Sequence, residues 1–299
     1  MIPHFKTKSA SLAVALAATL FSAVPAYAIP ILGLTNTNSI FTFDSATPAA
    51  QSAFVNVSGL GVGENLVGID RRPTTGVLYA VSNQGRVFSI AAGGAATLIG
   101  TVPGISGTTV IGIDFNPEAD RLNLASLRVI TSSGQNGAFN VGAAVPSYTA
   151  QTAVQANLTS IAYSNNDVDA GTATSLYFID SSSNELKVAT GNFANPTITT
   201  VGGLGFNAGN IGGFDIFGGF DAFSALQTGN GASSFYSINL GTGSASLIGS
   251  FNLGGNGNVI GLTATGLAAA VPEPATFTLM LAGLLGVCTF GRKRRSASR

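Results

Sequence analysis

Leu66 to Thr101 reads LVGIDRRPTTGVLYAVSNQGRVFSIAAGGAATLIGT. Four short runs rich in Val, Ile, Leu, Phe and Tyr (LVGID, VLYAVS, RVFSIA and ATLIGT) are separated by segments of Gly, Asn, Pro and Thr. Such runs predict strands, and the Asn83-Gln84-Gly85 and Gly93-Gly94 segments predict tight turns in which glycine reaches positive φ without strain. The first run recurs along the chain. LVGID (Leu66 to Asp70) returns as VIGID (Val110 to Asp114), LTSIA (Leu158 to Ala162), IGGFD (Ile211 to Asp215) and VIGLT (Val259 to Thr263), at spacings of 44, 48, 53 and 48 residues. A period near 40 to 50 with several strands per unit is the signature of propeller blades, and the recurring run is their innermost strand.

The two ends of the repeat complement each other. LGLTNTNSIFTF (Leu32 to Phe43) aligns with YAVSNQGRVFSI (Tyr79 to Ile90), so the first unit starts at its second strand. VIGLTATG at the far end is an inner strand with no blade after it. The expectation is an all-β, five-bladed propeller in which the C-terminal strand completes the N-terminal blade and protects its edge. A solenoid or an open sandwich is the alternative. The working domain spans 29–270.

Composition excludes several chemistries. Within 29–270 there are twelve acids and six bases, a net charge of −6. With no basic run, a nucleic-acid partner is not expected. The only Cys is Cys288 and the only His is His4, both outside this span. A disulfide framework, a thiol nucleophile and a Ser-His-Asp triad are therefore absent, and zinc and copper lose their usual ligands. Carboxylate chemistry and oxygen-ligated calcium stay open.

Both termini read as addresses. Lys6 and Lys8 precede the apolar run Leu12 to Phe21, and Ala26-Tyr27-Ala28 offers small residues to a signal peptidase. This predicts a signal peptide over 1–28, cut after Ala28. At the other end Ala275 to Gly291 carries no charge and is followed by Arg292, Lys293, Arg294 and Arg295. As a helix it spans roughly 25 Å, close to a ~30 Å hydrocarbon core, and the basic cluster stays cytoplasmic. Val271-Pro272-Glu273-Pro274-Ala275, the apolar stretch and the basic cluster together resemble the PEP-CTERM sorting signal of bacterial exosortase substrates. That resemblance assigns 271–299 to the signal, with a transmembrane helix over 275–291. It implies a Gram-negative source, transient residence in the inner membrane, processing by an exosortase near Pro272-Glu273-Pro274, and delivery to the cell surface, the outer membrane or the extracellular space. Such systems accompany exopolysaccharide and biofilm production.

A second resemblance covers most of 31–267. GIDFNPEADRL (Gly112 to Leu122), SSGQN (Ser132 to Asn136), GENLVGIDRRPTTGVLYAVSNQGRVFSI (Gly63 to Ile90), LYFIDSSSNEL (Leu176 to Leu186) and GGFDI (Gly212 to Ile216) are similar to an exported bacterial domain of unknown function. Between Arg121 and Ser132 the chain carries extra residues relative to that pattern.

Candidate chemistry rests on carboxylates. Asp70, Asp114 and Asp215 end equivalent inner strands, which places them around one mouth of the central channel. There they either accept hydrogen bonds from the turn that follows each strand, or act as acid and base on a glycan, or hold a cation. Asp114, Asn116, Glu118 and Asp120 alternate oxygens as a calcium loop does, but Ala119 and Ala125 stand where an EF-hand needs Gly and Glu. The competing expectation is a turn fixed around Pro117, with Asp120 or Glu118 paired to Arg121 or Arg72. Asn165-Asn166-Asp167-Val168-Asp169-Ala170-Gly171 is a second oxygen-rich loop, in which Asp167 and Asp169 are calcium candidates. Two functions stay open: a non-enzymatic surface or matrix protein binding exopolysaccharide or another protein, and a carbohydrate-active enzyme using Asp70, Asp114 and Asp215.

Overall fold

The computed structural model describes residues 28–107, 110–166, 169, 171–229 and 231–264. They form five four-stranded antiparallel sheets. Blade one contains β1 (Pro30–Thr35), β2 (Ser39–Asp44) and the short β3 (Val55–Asn56). Blade two runs outward through β4 (Leu66–Arg71), β5 (Leu78–Ser82), β6 (Arg86–Ile90) and β7 (Ala96–Thr101). Blade three has β8 (Ile111–Phe115), a short helix α1 (Pro117–Arg121), β9 (Ser126–Thr131), β10 (Asn136–Asn140) and β11 (Ser147–Ala150). Blade four has β12 (Leu158–Tyr163), β13 (Ser175–Asp180), β14 (Glu185–Thr190) and β15 (Ile198–Gly203). Blade five has β16 (Ala208–Phe217), β17 (Asp221–Thr228), β18 (Ser233–Ile238) and β19 (Ala245–Ser250). The last strand, β20 (Val259–Ala264), is the inner strand of blade one, pairing Ile31 with Ala264 and Leu32 with Thr263. Each inner strand contacts the next, and β20 contacts β4, which shuts the ring.

The expected five blades and closure are what the fold has. The extra residues after Arg121 leave the strand register intact: β8 and β9 pair regularly from Ile111–Thr131 to Phe115–Leu127. The surplus lies in the turn 122–125 between α1 and β9; in α1 itself the Asn116 side chain caps the Ala119 N–H and Pro117 opens the first turn. A turn was the expectation at this point. The cap and the proline make it one turn of helix instead. Predicted hairpin turns also form, with Gly85 at φ +74° and Gly94 at φ +83°.

Each sheet is twisted and buries both faces, so the core is divided. Five apolar clusters occupy the five blade interfaces, one per interface. The outer strands β7, β15 and β19 share one pattern of exposed and half-buried positions, as the outermost strands of their sheets. The closing interface between blades five and one is the most aromatic. Phe43 meets Phe235 edge-on at 5.0 Å, Phe223 stacks on Phe235 at 5.3 Å, and Phe251 contacts Phe43 at 5.3 Å.

The third position of the inner strand sets how closely blades approach. It is Gly68, Gly112, Ser160, Gly213 and Gly261 in ring order. A Cβ on Gly112 would lie 2.9 Å from the Ile161 nitrogen, and one on Gly213 would lie 2.5 Å from the Gly261 carbonyl carbon and the Leu262 nitrogen. Both obstacles are backbone of the next blade and cannot swing away. Where these strands meet around their third positions, the enclosed space is 20 Å³. That is about one probe sphere, the lower limit for a single water.

Two outcomes follow. Gly213→Ala is expected to cost about 3 kcal/mol or more, or to prevent folding, whereas Gly93→Ala, with nothing within 4 Å, stays within about 0.5 kcal/mol of the parent in urea denaturation. Phe235→Ala removes the ring at the centre of the closing cluster and is expected to cost about 3–5 kcal/mol by the same measurement.

Candidate functional site at the channel neck

Two residues beyond each glycine position, the inner strands carry Asp70, Asp114, Ala162, Asp215 and Thr263 in ring order. This is a repeating stitch. Each side chain that can do so accepts the backbone N–H one residue further along on the next blade. The Asp70 carboxylate accepts the Phe115 N–H at 2.7 Å. Asp114 accepts the Tyr163 N–H. Asp215 accepts the Ala264 N–H at 2.5 Å. The Thr263 hydroxyl accepts the Arg71 N–H at 3.2 Å and donates to Asp70 at 3.0 Å. Asp70 and Asp215 also accept the N–H of the residue that follows each, both at 2.7 Å.

Stitching brings three carboxylates together. Asp70, Asp114 and Asp215 are each at most 6% exposed. One oxygen from each lies within 4.8 Å of the others. Burial pushes Asp70 and Asp114 well above the ordinary carboxylate value, and the Asp215 charge adds to both. The Asp70 charge raises Asp114 further, and the donated N–H groups oppose these shifts. Burial raises Asp215 to about 6 against the opposing Ala264 and Ile216 N–H bonds. The Asp215 charge favours the protonated form of both neighbours. The trio titrates as a unit. It can store protons, or offer a hard cation such as calcium an all-oxygen triangle.

Other expected site residues go elsewhere. Asp114, Asn116 and Asp120 do not form one calcium loop. Asp114 faces the channel neck, Asn116 caps α1, and Asp120 is buried in an ion pair with Arg72 at 2.6 Å while accepting both the N–H and hydroxyl of Thr74. This ties α1 to blade two, and the pairing to Arg72 is one of those expected. Asp169 accepts the Gly171 N–H at 2.9 Å in an exposed turn. Asp167 lies outside the described residues, as do Ala26, Val271 to Pro274, Arg292 to Arg295 and the 275–291 helix. Among the described residues no helix is long and apolar enough to cross a membrane.

Sequence reasoning missed three neighbours. Thr263 was legible as the aspartate equivalent in the last repeat. Tyr163 and Arg128 were not, since their contact crosses from blade four to blade three. Arg128, 4% exposed, donates to the Tyr163 hydroxyl at 3.1 Å and to Asn136 at 2.8 Å, and also to Gln151.

The trio sets a pH dependence. Its members keep protons to higher pH folded than unfolded, so above about pH 4 the native chain binds more protons than the unfolded chain, and stability falls as pH rises. Asp215 alone, moved from 3.8 to about 6, contributes about 3 kcal/mol of this loss. Asp180, despite its burial cost, is held low by Ser182, Ser183 and Lys187, so its stabilisation is lost only as pH falls below the ordinary carboxylate range. The expected result is lower stability at pH 8 than at pH 5 by urea denaturation, with Asp114→Asn flattening the profile. A profile rising from pH 5 to 8 contradicts this electrostatic account.

Comparison with known proteins fits the geometry. A chain of the nidogen/laminin complex aligns with TM-score 0.50 at 12% identity, covering 81% of this chain and 100% of that one. A putative 6-phosphogluconolactonase from Bacteroides uniformis aligns at 0.40 and 14% identity, covering 74% and 82%. A functionally unknown protein from Desulfotomaculum acetoxidans aligns at 0.40 and 14%, covering 73% and 65%. At these identities the likeness concerns fold alone, and the two lower scores carry no argument. No curated protein matches. The PEP-CTERM protein-sorting motif matches residues 270–295, which marks an exported, exosortase-sorted protein that is transiently membrane-anchored. The family described as "Domain of unknown function (DUF4394)" matches residues 39–263, from β2 to the closing strand, and the chain belongs to that family.

Proposed function

We propose that the mature domain, 29–270, is a non-enzymatic binding or structural protein of the cell surface or extracellular matrix that engages exopolysaccharide. In this reading a signal peptidase cuts after Ala28, an exosortase cuts near Pro272-Glu273-Pro274, and the product serves in a biofilm. The observation that carries the reading is the state of the carboxylates. Asp70, Asp114 and Asp215 are buried and stitched to neighbouring blades, and the 20 Å³ enclosed where the inner strands meet has no room for a sugar. They act as an internal latch on the ring.

A glycan would instead meet the surface. Phe220, 88% exposed, stands at the β16–β17 hairpin. Next to it Asn165 donates its N–H to the Gly218 carbonyl, and Asn166 accepts the Gly218 N–H through its side chain. An exposed aromatic face beside amide groups suits a sugar, whose C–H face is apolar and whose hydroxyls seek hydrogen bonds. The alternative, a carbohydrate-active enzyme, draws on the raised pKa values and close spacing of the three acids, and against it stands their burial, at most 6% exposed.

The deciding trial is retention of the purified protein on the producer's own exopolysaccharide, with and without calcium. Phe220→Ala is expected to weaken retention about tenfold, close to 1.4 kcal/mol, while Asp114→Asn leaves it unchanged. No retention under either condition would sink glycan binding. Sugar release abolished by Asp114→Asn and by Asp215→Asn would install the enzymatic reading in its place.

A further inference from the structure

A cleft of 530 Å³ lies between blades one and two. That size falls in the ~300–1,000 Å³ range of ligand sites. It sits where the repeat is incomplete. β3 has two residues where β7, β15 and β19 have six, and the cleft borders that short strand. Leu32, Ile40 and Val55 form one wall, and Val77, Leu78 and Ile90 the other.

The one charged group lining the cleft is Arg71. It is one of six bases among twelve acids in 29–270, yet no carboxylate forms an ion pair with it among the described residues. The residue is held at both ends. Its backbone N–H is accepted by Asp70 at 2.7 Å and by the Thr263 hydroxyl at 3.2 Å, and its Nη1 donates to the Gly76 carbonyl at 2.8 Å. The other edge of the guanidinium is unused. Nε is shielded from solvent and has no acceptor among the described residues, and Nη2 on the same edge donates to none of them. A buried donor without an acceptor is costly, so such groups normally have partners.

We propose that this cleft binds a small amphipathic carboxylate, with its acid group side-on to the Nε–Nη2 edge of Arg71 and its apolar body between the two walls. That edge presents two parallel N–H donors, which match the two oxygens of one planar carboxylate. A single cation among otherwise uncharged lining residues answers one negative charge and leaves the second charge of a phosphate uncompensated. A neutral apolar ligand would fill the walls and leave the donors unpaired. The site lies on blades one and two, apart from any glycan contact at Phe220 on blade five.

Calorimetric titration of the detergent-purified full chain tests it, with titrations into micelles alone subtracted. The probes are 4-phenylbutanoate, 4-phenylbutan-1-ol and 4-phenylbutylamine, which share an apolar body and differ in the head group. The acid is expected to bind one to one and about tenfold more tightly than the alcohol, with the amine weakest. Arg71→Gln is expected to weaken the acid about tenfold and to leave the alcohol unchanged. Ala53→Trp, at an exposed position lining the cleft, is expected to weaken acid and alcohol alike. No saturable binding of the acid, equal affinities for acid and alcohol, or acid binding indifferent to Arg71→Gln would each overturn the carboxylate site. Acid binding indifferent to Ala53→Trp would overturn its placement in this cleft. Retention on exopolysaccharide is read separately with Phe220→Ala, so the two proposals fail independently.

Discussion

Everything in this fold follows from closing five blades into a ring so tight that inner strands touch backbone to backbone. Neighbouring blades meet at the third residue of the recurring strand, and glycine occupies that place four times in five. Where it does not, Ser160 turns its hydroxyl onto the Gly212 carbonyl at 3.0 Å and makes the contact a bond. Closure is non-local in the extreme, since Ile31 pairs with Ala264. Such pairing brings no local reward to offset the loop entropy, so the seam needs strong packing. The phenylalanine cluster between blades five and one supplies it.

The stitch at the neck shows how one residue type can serve architecture and still look catalytic. A short carboxyl side chain suits a backbone N–H on the next blade, because one of its oxygens can accept that N–H while the other accepts the N–H of the residue that follows it, as in Asp70 and Asp215. Repeating that solution around a narrow ring brings the acceptors within 4.8 Å of each other. Convergent carboxylates with raised pKa values are also how acid–base sites are recognised. Access separates the two meanings. A site needs a cavity in front of its acids, and here the acids face N–H groups and each other.

The period of the inner strand, the blade count and the strand that closes the ring were legible from sequence because each is a repeat property: every blade reports the same spacing. The meeting of Asp70, Asp114 and Asp215 was legible for the same reason. What lay outside the repeat was not. Asp114, Asn116 and Asp120 look like one oxygen-rich loop in the linear chain, yet an intervening turn of helix sends the three side chains in different directions. The Arg128–Tyr163 contact has no sequence signal, because it joins two blades through residues with different repeat positions.

The neck tolerates three acids because it does not have five. In ring order the fifth position is Asp, Asp, Ala, Asp, Thr, so only Asp70 and Asp114 are adjacent acids. Ala162 separates Asp114 from Asp215 and adds no charge. Thr263 sits between Asp215 and Asp70 and does more: its hydroxyl accepts from one blade and donates to Asp70, so it satisfies the stitch while stabilising a neighbouring carboxylate. Five identical aspartates would place five like charges around one neck, where burial already favours protonation of each. The two residues that depart from the repeat therefore lower the density of ionisable groups at the neck, and they leave a neck whose stability depends on how many protons the remaining acids hold.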